Sequence, residues 1–296
     1  MLGAGIAILT ALAWAGSSII LKSLTAKIDT LSLNTLRLWV GSVILLAFIP
    51  LSGRGADFLH TPFLPLVYVI ASGIIAMAIG DSIYIESLSV LDASIAFPIA
   101  QCSFPVLTVL VAVLLLGETF TWITGAGTVL VVLGIYLIAA AGKRAKVSRV
   151  QETVSEKGVI FALMAAAAWT TAAATLKIGV TDMDAFVAAG IRIPASAIVL
   201  SLLALRRRKK GTLQFKEYGH RSIALAAAAG ILTYGVAAVG YVTAIQLIGV
   251  GRTVLLTTTA PLFVLPFSIL ILKETPTRYT IAGTFVCVAG ICLVVA

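Results

Sequence analysis

Polar residues divide the chain into ten apolar runs. A helix needs about 20 apolar residues to cross a bilayer. On that length the runs predict helices over residues 3–22, 31–51, 64–88, 93–116, 122–141, 158–177, 184–205, 222–246, 253–272 and 278–296. Pro, Gly and charge collect between them, in SGRGADFLHTP (52–62), GKRAKVSRVQETVSEKG (142–158) and RRRKKGTLQFKEYGHR (206–221). The stretch 142–157 reads as a basic linker, and it follows the fifth helix.

Composition sharpens this picture. The 296 residues are 60% hydrophobic and 11% charged, with mean hydropathy +1.11, whereas soluble domains carry about 25% charged residues. The fold class expected is an all-α integral membrane protein. The net charge of +9 comes mostly from 142–149 and 206–210. Beside spanning helices such clusters act as topology anchors. MLGAGIAIL has no basic stretch before its apolar run, so the first helix is expected to be retained. Cys102, Cys287 and Cys292 lie in apolar runs without metal-ligand spacing and read as packing residues.

The runs are written twice. ALAWAGSSIILK (11–22) returns as AAAWTTAAATLK (166–177), so that a shift of 155 places Trp14 on Trp169, Lys22 on Lys177, Asp29 on Asp184 and Arg37 on Arg192. GETFTWITGAGTVLVVLG (117–134) returns as KETPTRYTIAGTFVCVAG (273–290) after a shift of 156, which also brings Pro105 onto Pro261. Tyr84 and Tyr241 correspond once a one-residue gap is allowed. The boundaries are therefore 1–141 and 158–296, two five-helix repeats. Five is odd, so the second repeat enters the membrane from the opposite side. Inverted repeats about an axis in the membrane plane are a transporter architecture.

The Trp…Lys…Arg pattern and the two Pro-to-Glu segments (Pro105–Glu118, Pro261–Glu274) resemble the drug/metabolite transporter superfamily, specifically its ten-helix EamA-type exporters. The resemblance covers essentially the whole chain. It implies a basket of ten helices around a central cavity, moving amino acids or similar small metabolites, usually outward.

Ionisable residues inside lipid face cavities or partners. Arg37 and Arg192 lie inside their helices at matching positions and read as ion-pair or hydrogen-bonding residues, direct substrate contact being the alternative. Lys22 and Lys177 close their helices as interface anchors. Trp14, Ser18 and Lys22 form an i, i+4, i+8 stripe; the matching stripe, Trp169, Ala173 and Lys177, lacks the hydroxyl, and Thr170 adjoins Trp169. GDSIYIES (80–87) is the most polar stretch within a span, and Asp81 has no acidic counterpart in the second repeat. Asp81 is the candidate for binding an ammonium group or a proton, with uniport as the competing view, and Glu86 reads as interfacial. Gln101 and Ser103 beside Pro98 and Pro105, and Thr257 to Thr259 before Pro261, mark polar, bent helices. Tyr84, Tyr234 and Tyr241 suit a cavity wall. The substrate-contact set is thus Trp14, Ser18, Asp81, Tyr84, Gln101, Trp169, Thr170, Tyr234, Tyr241 and Thr258. Glu118 and Glu274 read as N-caps of the fifth and tenth helices.

Sixteen of the 21 Lys and Arg fall in connections after odd-numbered helices and three after even-numbered ones. The positive-inside rule then puts the odd connections in the cytoplasm and both termini outside. No H-E-x-x-H, G-x-S-x-G or phosphate-binding loop occurs, so no enzyme, metal or cofactor is expected. The expected partners are a small-molecule substrate and the bilayer, without nucleic acid, with a monomer sufficient and the cytoplasmic membrane as location. A sugar-phosphate or nucleotide-sugar exchanger is the alternative carrier, and a channel or membrane sensor the alternative outside carriers.

Overall fold

The computed structural model describes residues 1–116, 121–144, 155–179, 183–207, 218–248, 253 and 256–295. Glu118, the centre of the 142–157 linker, most of the 206–217 connection and the Lys177 side chain lie outside them. Among the described residues the apolar elements are helical: α1 (Leu2–Leu24), α2 (Thr30–Leu51), α3 (Phe63–Val90), α4 (Ala93–Leu116), α5 (Trp122–Arg144), α6 (Glu156–Gly179), α7 (Ala185–Arg207), α8 (His220–Gly230 continued by Ile231–Ala237 and Ala238–Ile248), α9 (Ala260–Leu272) and α10 (Arg278–Val295). A short helix, Gly55–Leu59, lies between α2 and α3. The first eight are long and apolar enough to cross a membrane, and α9 and α10 are shorter apolar helices.

Helix ends follow local chemistry. Asp29 caps α2 by accepting from Ser32 N (3.0 Å), and Asp184 caps α7 by accepting from Phe186 N (2.9 Å). Thr121 and Thr277 cap α5 and α10 in the same way, accepting from Thr124 N and Thr280 N at 3.2 Å each. Glu274 therefore does not cap α10. Lys273 ends α9 in the left-handed conformation, φ 60°, and this turn sends Glu274 back toward α4. There its two oxygens accept from Ala93 N (2.7 Å) and Ser94 N (3.1 Å).

Packing interleaves the two halves. The first helix of each half lies against the third and fourth helices of the other: α1 on α8 and α9, α6 on α3 and α4. Glycines allow the closest approaches. A Cβ on Gly127 would stand 2.6 Å from Gly290 O, and one on Gly134 would stand 2.6 Å from Gly283 O. Since Gly127 corresponds to Gly283 and Gly134 to Gly290, these contacts exchange when the halves are interchanged, and α5 runs antiparallel to α10. Likewise Gly73 of α3 meets the Arg192 backbone in α7, and Gly230 of α8 meets the Arg37 backbone in α2. Immediately after each of these glycines the helix loosens into seven π-helical residues, Ile74–Gly80 and Ile231–Ala237. The apolar pattern shows neither. Such insertions free carbonyls and frequently sit at functional sites.

Candidate functional site in the core between the halves

Two Trp–Tyr contacts cross from one half to the other. Trp14 of α1 packs on Tyr241 of α8 with ring centroids 5.7 Å apart, and Trp169 of α6 packs on Tyr84 of α3 at 5.6 Å. They are the same contact in the repeat register. Their surroundings differ.

The Trp14–Tyr241 pair borders a cavity of about 290 Å³, lined also by Gln101, Phe104, Thr108, Thr257 and Thr258. Its walls come from α1, α4, α8, α9 and α10, with no charged residue among those described. Phe104 leads from it to the other pair, edge-on to Trp169 at 6.4 Å. Thr170 sits at the same junction, buried, with its hydroxyl 3.4 Å from Phe104 O.

The Tyr84–Trp169 pair is held by polar partners. The Tyr84 hydroxyl shares a hydrogen bond with Ser18 Oγ. Trp169 Nε1 donates to Asp81 Oδ1 (3.0 Å), and the Tyr234 hydroxyl donates to Asp81 Oδ2 (2.8 Å). Asp81 follows the first π segment and Tyr234 lies within the second, so the two loosened stretches meet at one carboxylate. Arg37 Nη1 stands 3.9 Å from Asp81 Oδ2, the Arg37 side chain being 4% exposed and that of Asp81 16%. Arg37 also donates to Asn34 Oδ1 (3.2 Å) and Thr233 Oγ1 (3.3 Å) and lies over the Tyr234 ring, 5.5 Å from its centroid. Its guanidinium is thus engaged by groups from both halves.

Arg192, at the matching position of the second half, has different surroundings. Among the described residues its side chain makes no ion pair or hydrogen bond, and its buried Nε has no partner. Lys22 is more than an interface anchor: its ammonium donates to Leu88 O (2.9 Å) and Leu91 O (2.7 Å), clasping the end of α3. Glu86 is exposed and accepts from Thr30 (2.7 Å).

The structure thus brings Trp14, Gln101, Tyr241 and Thr258 to the cavity, and Ser18, Asp81, Tyr84, Trp169 and Tyr234 to the adjoining cluster. The apolar pattern does not single out Asn34, whose amide donates to Met77 O (2.8 Å) and Ser82 Oγ (2.9 Å), or Ser17, bonded to Thr233 (2.7 Å). Their sign in the sequence is that both are polar residues within apolar runs. A second cavity of about 610 Å³ opens at the Asp29–Glu86 end of α2 and α3 and is lined by Ser82. Ser82, Asn34 and Arg37 form a polar line from it to Asp81.

At the helix ends, Asp184 Oδ2 pairs with Arg54 (2.7 Å), and Asp29 Oδ2 accepts from the Tyr218 hydroxyl (2.7 Å). Each link joins the cap of one half to the connection after the second helix of the other. Burial works to raise the Asp29 carboxyl, but bonds from Ser32, Tyr218 and Leu31 together hold it below the usual carboxylate range. Burial, and then the bond to that carboxylate, push Tyr218 up.

Comparison with known proteins places this arrangement. An uncharacterized transporter of Archaeoglobus fulgidus is 25% identical over 283 residues, 96% of this chain and 94% of that protein. A solved crystal structure with 19% identity covers 99% of this chain and 96% of its own, with a TM-score of 0.69, which is a likeness of fold. Residues 1–140 and again 156–296 match the sequence pattern of the EamA-like transporter family. The chain belongs to that family, within the drug/metabolite transporter superfamily, and is a multi-pass membrane transporter rather than an enzyme.

Proposed function

We propose that the protein is a secondary carrier of ten membrane-spanning helices in two inverted halves, 1–141 and 158–296, joined by the 142–157 linker. It moves small metabolites, amino acids foremost, outward across the cytoplasmic membrane by alternating access, as a monomer. The observation that carries this reading is the pair of crossed Trp–Tyr contacts. They are equivalent in the repeat yet one borders an open cavity and the other is closed by polar bonds, as a carrier caught on one side of its cycle requires. A cavity of about 290 Å³ is of small-metabolite size. Aromatic rings and neutral amide or hydroxyl groups in its wall, with a charged cluster at its edge, suit a zwitterion with a variable side chain.

A sugar-phosphate exchanger needs more than one free cation to meet the phosphate's roughly two negative charges. Lys22 instead holds the Leu88 and Leu91 carbonyls, and Arg37 is engaged by Asp81, Asn34 and Thr233. This weighs toward amino acids. Purified protein in liposomes preloaded with an unlabelled amino-acid mixture is expected to show saturable counterflow of labelled amino acids and none with hexose phosphates. Counterflow of hexose phosphates alone refutes the substrate class, and non-saturable flux of both refutes the carrier.

A further inference from the structure

Arg37 and Arg192 occupy the same place in the two repeats, but only Arg37 keeps its partners. In the repeat register the residues that hold Arg37 are replaced one by one around Arg192. Ala189 stands for Asn34, Ala238 for Asp81, Ala76 for Thr233 and Met77 for Tyr234. A scaffold arginine would have kept such partners or become neutral with them. Arg192 has none of the four and remains charged.

The charge balance of the interior points the same way. In the sequence Asp81 is the one carboxylate in the middle of an apolar helix, and it lies against Arg37 at 3.9 Å. Arg192 is within electrostatic reach of Asp81 and Tyr234 without touching either. Two guanidinium groups and one carboxylate leave one positive charge unbalanced. Leaving a buried charge unpaired is strongly unfavourable. Nε of Arg192, like that of Arg37, is buried and unpartnered among the described residues, but the Arg192 guanidinium has no bond through its other nitrogens either, whereas that of Arg37 has several. A small anion bound there would satisfy both the open nitrogens and the unbalanced charge. The Arg192 backbone is locked against Gly73, where even a Cβ would stand 2.6 Å from Arg192 O. Its Cα is fixed at the start of the π segment that leads to Asp81.

We propose that Arg192 is the carboxylate-binding residue of the transport site, so that the cargo is a carboxylic acid or amino acid whose carboxylate supplies the missing negative charge. The guanidinium fork matches a carboxylate with two parallel N–H donors. Asp81 is within electrostatic reach of Arg192 and is the carboxylate available to an amino acid's ammonium. The proposal rests on the carrier reading above.

Two measurements test it, and they fail separately. In the first, purified protein is melted in detergent against rising sodium propionate at constant ionic strength, with methylammonium chloride as control. Wild type is expected to gain melting temperature with propionate and not with methylammonium. Arg192→Gln and Arg192→Met are expected to lose the gain, while melting no lower than wild type in the absence of propionate. No gain in wild type overturns the proposal. So does an unchanged gain in both variants, or a fall in their basal melting temperature as large as that of Arg37→Gln, which marks a structural arginine.

In the second, liposomes loaded with leucine exchange against labelled leucine or leucinamide, which keeps the ammonium and lacks the carboxylate. Wild type should favour leucine by about 10- to 100-fold, the range of one charge-assisted pair, and Arg192→Gln should remove the preference. Equal exchange of both by wild type overturns the proposal. Should no amino acid exchange, the substrate class proposed earlier falls, and the propionate melts still decide Arg192.

Discussion

Asp81→Asn isolates the charge at the centre of the cluster. Asparagine has the shape of aspartate, and its oxygen can still accept from Trp169 Nε1, now at 3.0 Å. Its amide faces the Tyr234 hydroxyl, which rotates to accept where it now donates at 2.8 Å. The hydrogen bonds are thus nearly conserved, and what disappears is the charge opposite Arg37. Two unit charges at the observed 3.9 Å attract by about 4 kcal/mol at an effective dielectric of about 20. Breaking one side of a buried pair costs about 3–5 kcal/mol. Both routes give the same figure.

A four-chain cycle reads it out: wild type, Asp81→Asn, Arg37→Gln and the double variant, melted in one detergent at one scan rate. Asp81→Asn leaves two arginines with no counter-charge and should be the least stable. Arg37→Gln leaves Asp81 with Arg192 nearby and should lose less. The double variant should recover about 2–4 kcal/mol relative to the sum of the singles, the coupling expected of residues in contact. Additive losses would show that the 3.9 Å pair carries no coupling, and the charge balance behind the site would fall with it.

Three further outcomes follow from packing and capping. Gly134→Ala places a Cβ 2.5 Å from Cys287 Sγ and 2.6 Å from Gly283 O; backbone cannot step aside, so a loss of about 1–3 kcal/mol is expected. Gly5→Ala, with nothing within 4 Å, is the control that should melt like wild type. Glu274→Ala removes the acceptor of Ala93 N and Ser94 N and should cost about 2–3 kcal/mol, with Glu274→Gln between it and wild type in a melting series. Because Asp29 is held below the usual carboxylate range, its contribution is complete above that range and fades as pH falls through the lowered value. Melting temperature should therefore drop on the acid side, less steeply in Asp29→Ala, and equal slopes would remove Asp29 from the account.

Much of the frame could be read from spacing because the chain carries its own comparison. A shift of 155 to 157 residues pairs the two Trp and the two Tyr and explains why Asp29 and Asp184 begin equivalent helices, but it does not say which Trp meets which Tyr. What the pattern misses depends on backbone geometry or on distant partners. An i→i+5 helix leaves the apolar run unbroken, so only the flanking Gly73 and Gly230 hint at the π segments. The target of Glu274 depends on a left-handed turn at Lys273; Gly117, the residue type such a turn prefers, stands at the matching place and is the available sign. The turn at Thr258 and Thr259, which separates the helical residues Thr253, Leu256 and Thr257 from α9, has a sign too, since Thr259 with Pro261 behind it is a helix-opening sequence. Arg37 and Arg192 cannot be told apart by their own positions. Their difference lies in Asn34, Asp81, Thr233 and Tyr234, which come from three helices.

That difference bears on how a symmetric scaffold acquires direction. In a carrier of the kind proposed, two identical halves would make the two access states equal in energy, because every interaction broken in one half is remade in the other. The residues that break the repeat break the tie. Ser18 and Asp81 hold the Tyr84–Trp169 pair, while Ala173 and Ala238 stand at the matching places beside Trp14 and Tyr241. One crossed pair is therefore tied by two hydrogen bonds that the other lacks. Each contributes about 0.5–1.5 kcal/mol net, and together about 1–3 kcal/mol, a bias of roughly 5- to 150-fold between states. That is large enough to set a resting side and small enough for cargo to reverse, since one charge-assisted interaction at Arg192 lies in the same range. The glycine crossings and caps repeat faithfully because both states need them, and the polar cluster does not repeat because only one state does.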